Sequence, residues 1–591
     1  MPVPAGCAFL IEPVPEDVFS FEDFGDEQRA MARTAEEFVD REVMPRLAEI
    51  EEKKGGVVPE LLRRAGEIGL LGVEVPEAYG GLGLDKATAL LVSERAAKVG
   101  SFSVAWGAHT GIGTLPLVYY GSEDQKQTYL PRLASGAWLA AYALTEPGSG
   151  SDALSAKASA RREGDHWLLS GTKQFITNAG FADLFTVFAQ VDGTKFTAFL
   201  VERGDPGVST GAEEQKLGIQ GSSTRPLLLD AARVPEGRVL GEVGRGHKIA
   251  FNILNVGRFK LGGGALGAAR DCLRIAVDYG RGRVQFGKPI VSFGMIQRKI
   301  ADMATRLFVA DSMAYRTAGL LDGAAEGAPA SGPGRDEALR AVLEDYTVEC
   351  SALKVFGTEC LDFVADEALQ LLGGYGFLRD YPIERHFRDG RINRIFEGTN
   401  EINRLIMPAT LLKRAGQKKV DYFAFVESVG REVAAGAAAP PASAEPLAAD
   451  VLAVDQARKI VAWTAQLLVS RNLRDLAERQ QHLEILANTM IDLFAADSVV
   501  ARTRKLLRKQ GVGPVANELD MTRVFVASAN ERIADGARRL AANELAGAEL
   551  EAALAAIDRL ALRLPIATIA AKTRIAERIV AGDVRAITEP L

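Results

Sequence analysis

The chain has 591 residues, of which 47% are hydrophobic, 25% charged and 7% aromatic; it is too long for one compact core, and nothing in it suggests a disordered or fibrous protein. Seventy Lys and Arg against 77 Asp and Glu leave a formal charge of −7, which argues against nucleic-acid binding as the main task and leaves any anionic ligand to helix N-termini and a few placed arginines. Cys7, Cys272, Cys350 and Cys360 form no Cys-x-x-Cys pair, so neither a disulfide framework nor a metal site is expected.

The first residues, Met1 to Glu12, lack a basic region and break their apolar run at Glu12, so no secretory signal or transit peptide is read there. No apolar run reaches membrane-spanning length, and a reducing, cytoplasmic setting is expected. From about Glu27 to Leu139 apolar residues such as Ala32, Phe38, Val39 and Val43 recur at helical spacing, which predicts an N-terminal helical domain over 17–139. Between 140 and 245 the period changes to two, in runs such as Leu184–Gln190 and Phe196–Val201, and a small β domain follows. Helical patterning resumes over 246–415, with a surface loop rich in Gly, Ala and Pro at Gly323–Arg335. Residues 416–448, which include Ala434–Pro446, read as a flexible linker, and 449–591 as an appended helical extension. The fold class is therefore mainly α with a central small β domain.

Three stretches carry candidate chemistry. Tyr142-Ala-Leu-Thr-Glu-Pro-Gly-Ser-Gly-Ser-Asp152 ends an apolar run in a loop whose glycines and hydroxyls suit close approach to a ring system, although a Gly/Ser turn alone is more often only a turn. Gly171-Thr-Lys-Gln-Phe-Ile-Thr-Asn178 adds a ring at Phe175 and a hydroxyl at Thr177. In Ile395-Phe-Glu-Gly-Thr-Asn400, Glu397 lies between apolar bulk and a glycine; burial there would raise its pKa, as a base taking a proton from carbon requires. Taken alone, that residue is as well read as a helix-start carboxylate. Gly262–Gly267 matches Gly-x-Gly-x-x-Gly, but no strand precedes it, so close helix packing is the better reading.

Thr145–Asp152, Ile176-Thr-Asn178, Arg283-Val-Gln-Phe-Gly-Lys-Pro289, Gln370-Leu-Leu-Gly-Gly374 and Phe396–Asn400 stand in the order and approximate spacing of the acyl-CoA dehydrogenase family, which the chain resembles from about Phe21 to Ala415. The resemblance implies that family's fold (helical bundle, β barrel or sandwich, helical bundle) and an FAD-dependent oxidation of fatty acyl-CoA to trans-2-enoyl-CoA in β-oxidation, with Glu397 as base. It implies that Tyr142, Leu144, Thr145, Gly150, Ser151, Phe175, Ile176 and Thr177 line the flavin. Many relatives have Trp where this chain has Phe175. Arg283, Phe286, Gln370, Leu371, Gly373 and Gly374 would hold the FAD of a neighbouring subunit, and Thr399 and Glu401 the chain's own. Ser151, Asn255, Arg258 and Gly398 would contact substrate, with Ser103 and Gly107 as small residues at the pocket floor and Trp106 as a ring that either shortens the pocket or packs against its neighbours. Relatives that place the base elsewhere carry it at the position of Gly257, which leaves Glu397 unrivalled.

The extension of about 175 residues past Ala415 resembles the very-long-chain acyl-CoA dehydrogenase group, which implies a homodimer, long or very long acyl chains, and electrons passed to an electron-transfer flavoprotein. An oxidase using oxygen, or an assembly protein on the same fold, are the alternatives. Lys413–Lys419 followed by Tyr422–Val426 reads either as a peripheral membrane contact or as a solvated turn before a core helix. The one basic cluster, Arg502–Lys509, is too isolated to indicate nucleic-acid binding.

Overall fold

Capping residues mark where the early helices begin. Asp85 accepts from the Thr88 amide at 2.7 Å, and Ser122 and Gln125 cap each other's backbone. The computed structural model describes residues 6–329, 332–420, 422–435, 445–472 and 474–582. Helices α1 (Asp26–Phe38), α2 (Leu47–Glu51), α3 (Val57–Glu67), α4 (Lys86–Arg95), α5 (Gly100–Gly107), α6 (Leu115–Tyr120) and α7 (Glu123–Ala134) form the first layer.

The β domain follows as β1 (Ala140–Ala143), β2 (Ser159–Glu163), β3 (His166–Thr177), β4 (Leu184–Val191), β5 (Lys195–Glu202), β6 (Val208–Thr210), β7 (Thr224–Pro235) and β8 (Val239–Leu240). Its strand order is β6-β7-β3-β2-β4-β5-β8, with β1 joining β4 in parallel. The β3–β7 register slips between Lys173 and Ile176, so β3 bends just before Phe175 and Thr177.

Helices α8 (Gly246–Gly282), α9 (Gly294–Ala325), α10 (Pro333–Asp345), α11 (Thr347–Leu372), α12 (Pro382–Gly390) and α13 (Asn400–Gly416) come next, with a small hairpin of β9 (Val284–Gln285) and β10 (Lys288–Pro289) after α8. The stretch 323–335 read as a loop is helical up to Ala325 and again from Pro333, and residues 330 and 331 lie outside the described set. Gly262–Gly267 lies inside α8 and serves packing. A Cβ on Gly262 would stand 2.8 Å from Leu353 backbone, one on Gly263 2.3 Å from Leu90, and one on Gly267 2.0 Å from the Glu94 carbonyl.

The linker expected over 416–448 contains a helix, α14 (Tyr422–Ala435); its remainder at 436–444 lies outside the described residues. Tyr422 is buried and donates to the Ala462 carbonyl at 2.8 Å, so the aromatic run starts with an inward ring and leaves Phe423 as the exposed one. Beside it, Arg414 and Lys419 pair with Asp345. The extension is α15 (Ala448–Asn472), α16 (Gln480–Gln510), α17 (Ala516–Glu544), α18 (Gly547–Leu560) and α19 (Thr568–Ala581). It is not a separate bead, because Phe494, Leu493 and Ala529 share one apolar core with Met303 and Leu353.

The N-terminal segment from Cys7 to Phe24 packs into that same core through Cys7, Phe9 and Phe21 rather than against the first helical layer alone. Arg502 pairs with Glu22 and Asp311, Lys505 with Asp23, Arg504 with Glu12 and Arg508 with Glu16. The isolated basic cluster therefore meets the acidic residues of this segment. Asp497 holds both Arg316 and Arg458 at 2.8 Å, and those arginines donate to the carbonyls of Ala8 and Phe9. All four cysteines are buried and free. Among the described residues no helix is long and apolar enough to cross a membrane, and no cluster of metal-ligating side chains occurs.

Candidate active site

Thr399 caps α13, accepting from the Ile402 amide at 3.2 Å, so the chain must reverse in the residues just before it. Glu397 and Gly398 make that reversal with φ of 58° and 78°. The glycine accepts this freely, but holding Glu397 there costs on the order of 1–2 kcal/mol. Arg258 Nε donates to the Glu397 carbonyl at 3.3 Å, Lys354 Nζ to the Gly398 carbonyl at 2.8 Å, and Asn403 Nδ2 to the Gly398 and Thr399 carbonyls at 2.9 and 3.0 Å.

With its backbone turned back, the Glu397 side chain points toward α8. Its Oε2 is sealed from solvent and has no hydrogen-bond partner among the described residues. A Cβ placed on Gly257 would stand 2.5 Å from that oxygen, so the carboxylate occupies the space that glycine leaves. Burial raises the carboxyl from its ordinary 4.5 to about 7, against the lowering pull of Arg258 and Lys354. The carboxylate lies outside α13 and does not cap it, which removes the helix-start reading.

Glu397 borders a cleft that also takes in Thr177, Ser103, Gly107, Gly257 and Phe396. Gly107 has nothing within 4 Å of an added Cβ. Trp106 is buried and packs edge-on against Phe102 at 5.7 Å, with part of it bordering the cleft. Asn255 and Arg258 lie buried behind the Glu397 turn, where Arg258 donates to Asn255 at 2.7 Å and Asn255 ties to Leu343 and Thr347. Among the residues expected to contact substrate, Ser151 is exposed on the β-domain loop and Gly398 is half-buried in the turn.

Around the bend in β3 an exposed ring stands beside buried neighbours. Phe175 is 63% exposed with φ of 59°, while Ile176 beside it is buried in the β-domain core. Tyr142 and Leu144 are buried at the base, and a Cβ on Gly150 would meet nothing within 4 Å. The hydroxyls of Thr145, Ser151 and Thr177 have no hydrogen-bond partner among the described residues. Glu146 in the same loop turns inward instead, to Lys173 at 2.7 Å and the amides of Lys157 and Ala158. Thr399 and the exposed Glu401 stand at the start of α13.

Arg283, Phe286, Leu371, Gly373 and Gly374 gather elsewhere, in a groove with Tyr375, and Gln370 is exposed at the end of α11. Phe286 is 93% exposed on the β9–β10 turn. The two groups of cofactor candidates thus occupy separate places on one chain. The sequence reading overlooked Lys354 and Asn403, whose positions on helices α11 and α13 carry no signal beyond their being polar residues in buried helical registers.

Four stretches match family models: residues 25–137 "Acyl-CoA dehydrogenase, N-terminal domain", 141–232 the middle domain, and 244–412 and 456–559 two C-terminal domains of that description. The chain is 46% identical over 562 residues to "Probable acyl-CoA dehydrogenase" of Bacillus subtilis (strain 168), covering 94% of each. It is 41% identical over 353 residues to the human "Very long-chain specific acyl-CoA dehydrogenase, mitochondrial", covering 58% of this chain and 51% of that one. The crystal structure of an acyl-CoA dehydrogenase complexed with FAD from Bacillus anthracis is similar at a TM-score of 0.96 and 43% identity, over 98% of this chain and 99% of that one. Butyryl-CoA dehydrogenase from Megasphaera elsdenii is similar at a TM-score of 0.61 and 34% identity, over 66% and 99%.

Proposed function

Because the chain belongs to the acyl-CoA dehydrogenase family, we propose that it binds FAD and oxidises a fatty acyl-CoA to the trans-2-enoyl-CoA, with Glu397 removing the α-proton. The observation that carries this reading is the sealed, unpartnered Oε2 of Glu397 facing a cleft. A carboxylate deprived of hydrogen bonds is a stronger base than one in water, and a pKa of about 7 leaves it ionised in a useful fraction near neutrality.

The exposed Phe175, the open Gly150 and the free hydroxyls of Thr145, Ser151 and Thr177 fit an isoalloxazine ring, with Tyr142, Leu144 and Ile176 beneath. FAD, when bound, would supply the acceptor for the hydride that leaves Cβ. Glu397 takes the α-proton on Oε2, and the apolar wall of Phe396 and Ile112 excludes water from the carbon acid. The groove at Arg283, Phe286, Leu371, Gly373 and Gly374, with Gln370 beside it, leaves a large ring exposed, which supports a homodimer in which this surface completes the cofactor site of a second copy.

On α8 the cleft-lining positions run from Gly257 to Ala268, about 16 Å of helix. That length, with the small residues Ser103, Gly107 and Gly264 along it, supports a long acyl chain. The place in metabolism is then fatty acid β-oxidation, with an electron-transfer flavoprotein as acceptor. The test is Glu397→Gln: the variant retains FAD and binds acyl-CoA but does not bleach the flavin in anaerobic mixing. Bleaching at the wild-type rate refutes the assignment.

A further inference from the structure

Lys354 is fully buried on α11, yet among the described residues it makes no direct ion pair. Its ammonium donates instead to the Gly398 carbonyl at 2.8 Å and to Asn400 Oδ1 at 2.7 Å. A buried cation without a counter-ion is costly, and burial draws its pKa down from the ordinary lysine value. The strongest attraction on it comes from Glu397, followed by Glu401 and Glu359. In return it pulls the Glu397 carboxyl down, as Arg258 does from α8.

The geometry explains what is gained. Glu397 and Gly398 are both left-handed, and such a turn persists only where its surroundings enforce it. Three donors meet its carbonyls from behind: Arg258, Lys354 and Asn403. Drawing those carbonyls inward turns the Glu397 side chain out toward Gly257 and the cleft. Arg258 is committed at once to Asn255, and Asn403 is neutral. Neither Arg258 nor Lys354 has a carboxylate paired with it among the described residues, but Lys354 makes the shorter bond to the turn, 2.8 Å against 3.3 Å.

We propose that Lys354 is a positioning residue for the reaction: it fixes the Gly398 carbonyl so that Glu397 stays in its left-handed turn with Oε2 in the cleft, and its buried charge keeps that carboxylate ionisable. This rests on Glu397 being the base. The other ionisable groups that act on the pair are Arg258 from α8, Tyr142 from β1, Glu359 from α11 and Glu401 from α13.

The test uses FAD-loaded Lys354→Met, Lys354→Arg and Glu397→Gln, mixed anaerobically with acyl-CoA across the neutral pH range while flavin absorbance is followed. Lys354→Met is expected to bleach at least about tenfold more slowly near neutrality, with the midpoint of its rate profile raised by about one pH unit or more, because an opposite charge has been removed. Lys354→Arg restores the midpoint and most of the rate. Acyl-CoA binding, measured by equilibrium titration, stays within a few-fold of wild type in both. Should Lys354→Met not fold, Lys354→Gln is measured in its place. A wild-type midpoint in the methionine or glutamine variant, or a rate loss equal at every pH and not rescued by arginine, overturns the inference. If Glu397→Gln also bleaches normally, the base assignment itself falls; if it is inert while Lys354→Met keeps the wild-type rate and midpoint, only the role of Lys354 falls.

Discussion

Replacing Glu397 by Gln is expected to make the protein more stable above about pH 4.5, with the gain growing until about pH 7 and constant beyond. The carboxyl titrates near 4.5 when free and near 7 in the folded chain. A raised folded-state pKa means that its contribution to stability is complete below about pH 4.5 and is lost as pH rises through about 7. A difference of that size amounts to at most about 3 kcal/mol. Glutamine keeps the shape and does not ionise, so it escapes that loss. For 591 residues the entropy of unfolding is about 1.2 kcal/mol/K, so the gain corresponds to a rise in Tm of roughly 2 to 3 °C. Scanning calorimetry of the FAD-loaded wild type and variant at pH 5 and pH 8.5 measures it. The two should melt together at the lower pH and separate at the higher, with the variant on top. Equal offsets at both pH values would show that the Glu397 carboxyl titrates as an ordinary exposed one, and the argument for its basicity would fail with it.

Gly257→Ala places a methyl carbon 2.5 Å from Glu397 Oε2; flavin bleaching should fall at least about tenfold with FAD content unchanged, because the carboxylate must leave its seat. Gly107→Phe fills open space in the cleft, and competition between acyl-CoAs should show the ratio of kcat/KM for long over short chains falling by about tenfold or more. Asp497→Ala leaves Arg316 and Arg458 buried without their shared carboxylate, at a cost of roughly 3–5 kcal/mol; urea unfolding should record the loss, and limited proteolysis should reach the segment around Ala8 and Phe9 first.

Periodicity was a good guide where burial has one face, and it gave the order of helices, sheet and helices that the chain shows. It failed over Tyr422–Ala435, which lies inside the stretch read as linker and forms α14, whereas residues 436–444, most of the alanine-rich run that prompted the linker reading, lie outside the described residues. The motif around Glu397 was legible as a motif, yet its force as a base depends on features with no local signature. These are the left-handed φ of Glu397, the missing partner of Oε2, and Lys354, more than forty residues away in the chain. Gly257 was read as the absence of a rival base. In three dimensions it is also the space that Glu397 fills. Likewise, the basic run Arg502–Lys509 read as a weak nucleic-acid signal, and the acidic residues Glu12, Glu16, Glu22 and Asp23 that it pairs with show no pattern until the two segments are brought together.

That pairing has a temporal side. Arg502, Arg504 and Arg508 reach carboxylates 480 to 492 residues earlier in the sequence. During synthesis the segment from Cys7 to Phe24 emerges long before α16 exists to receive it, and contacts of such separation form late. Until then Phe9, Phe21 and Phe24 lack the α16 side of the core that buries them. The seating of this segment therefore waits for α16: a chain cut short before α16 would carry the β domain together with a segment whose apolar side chains and carboxylates lack their partners.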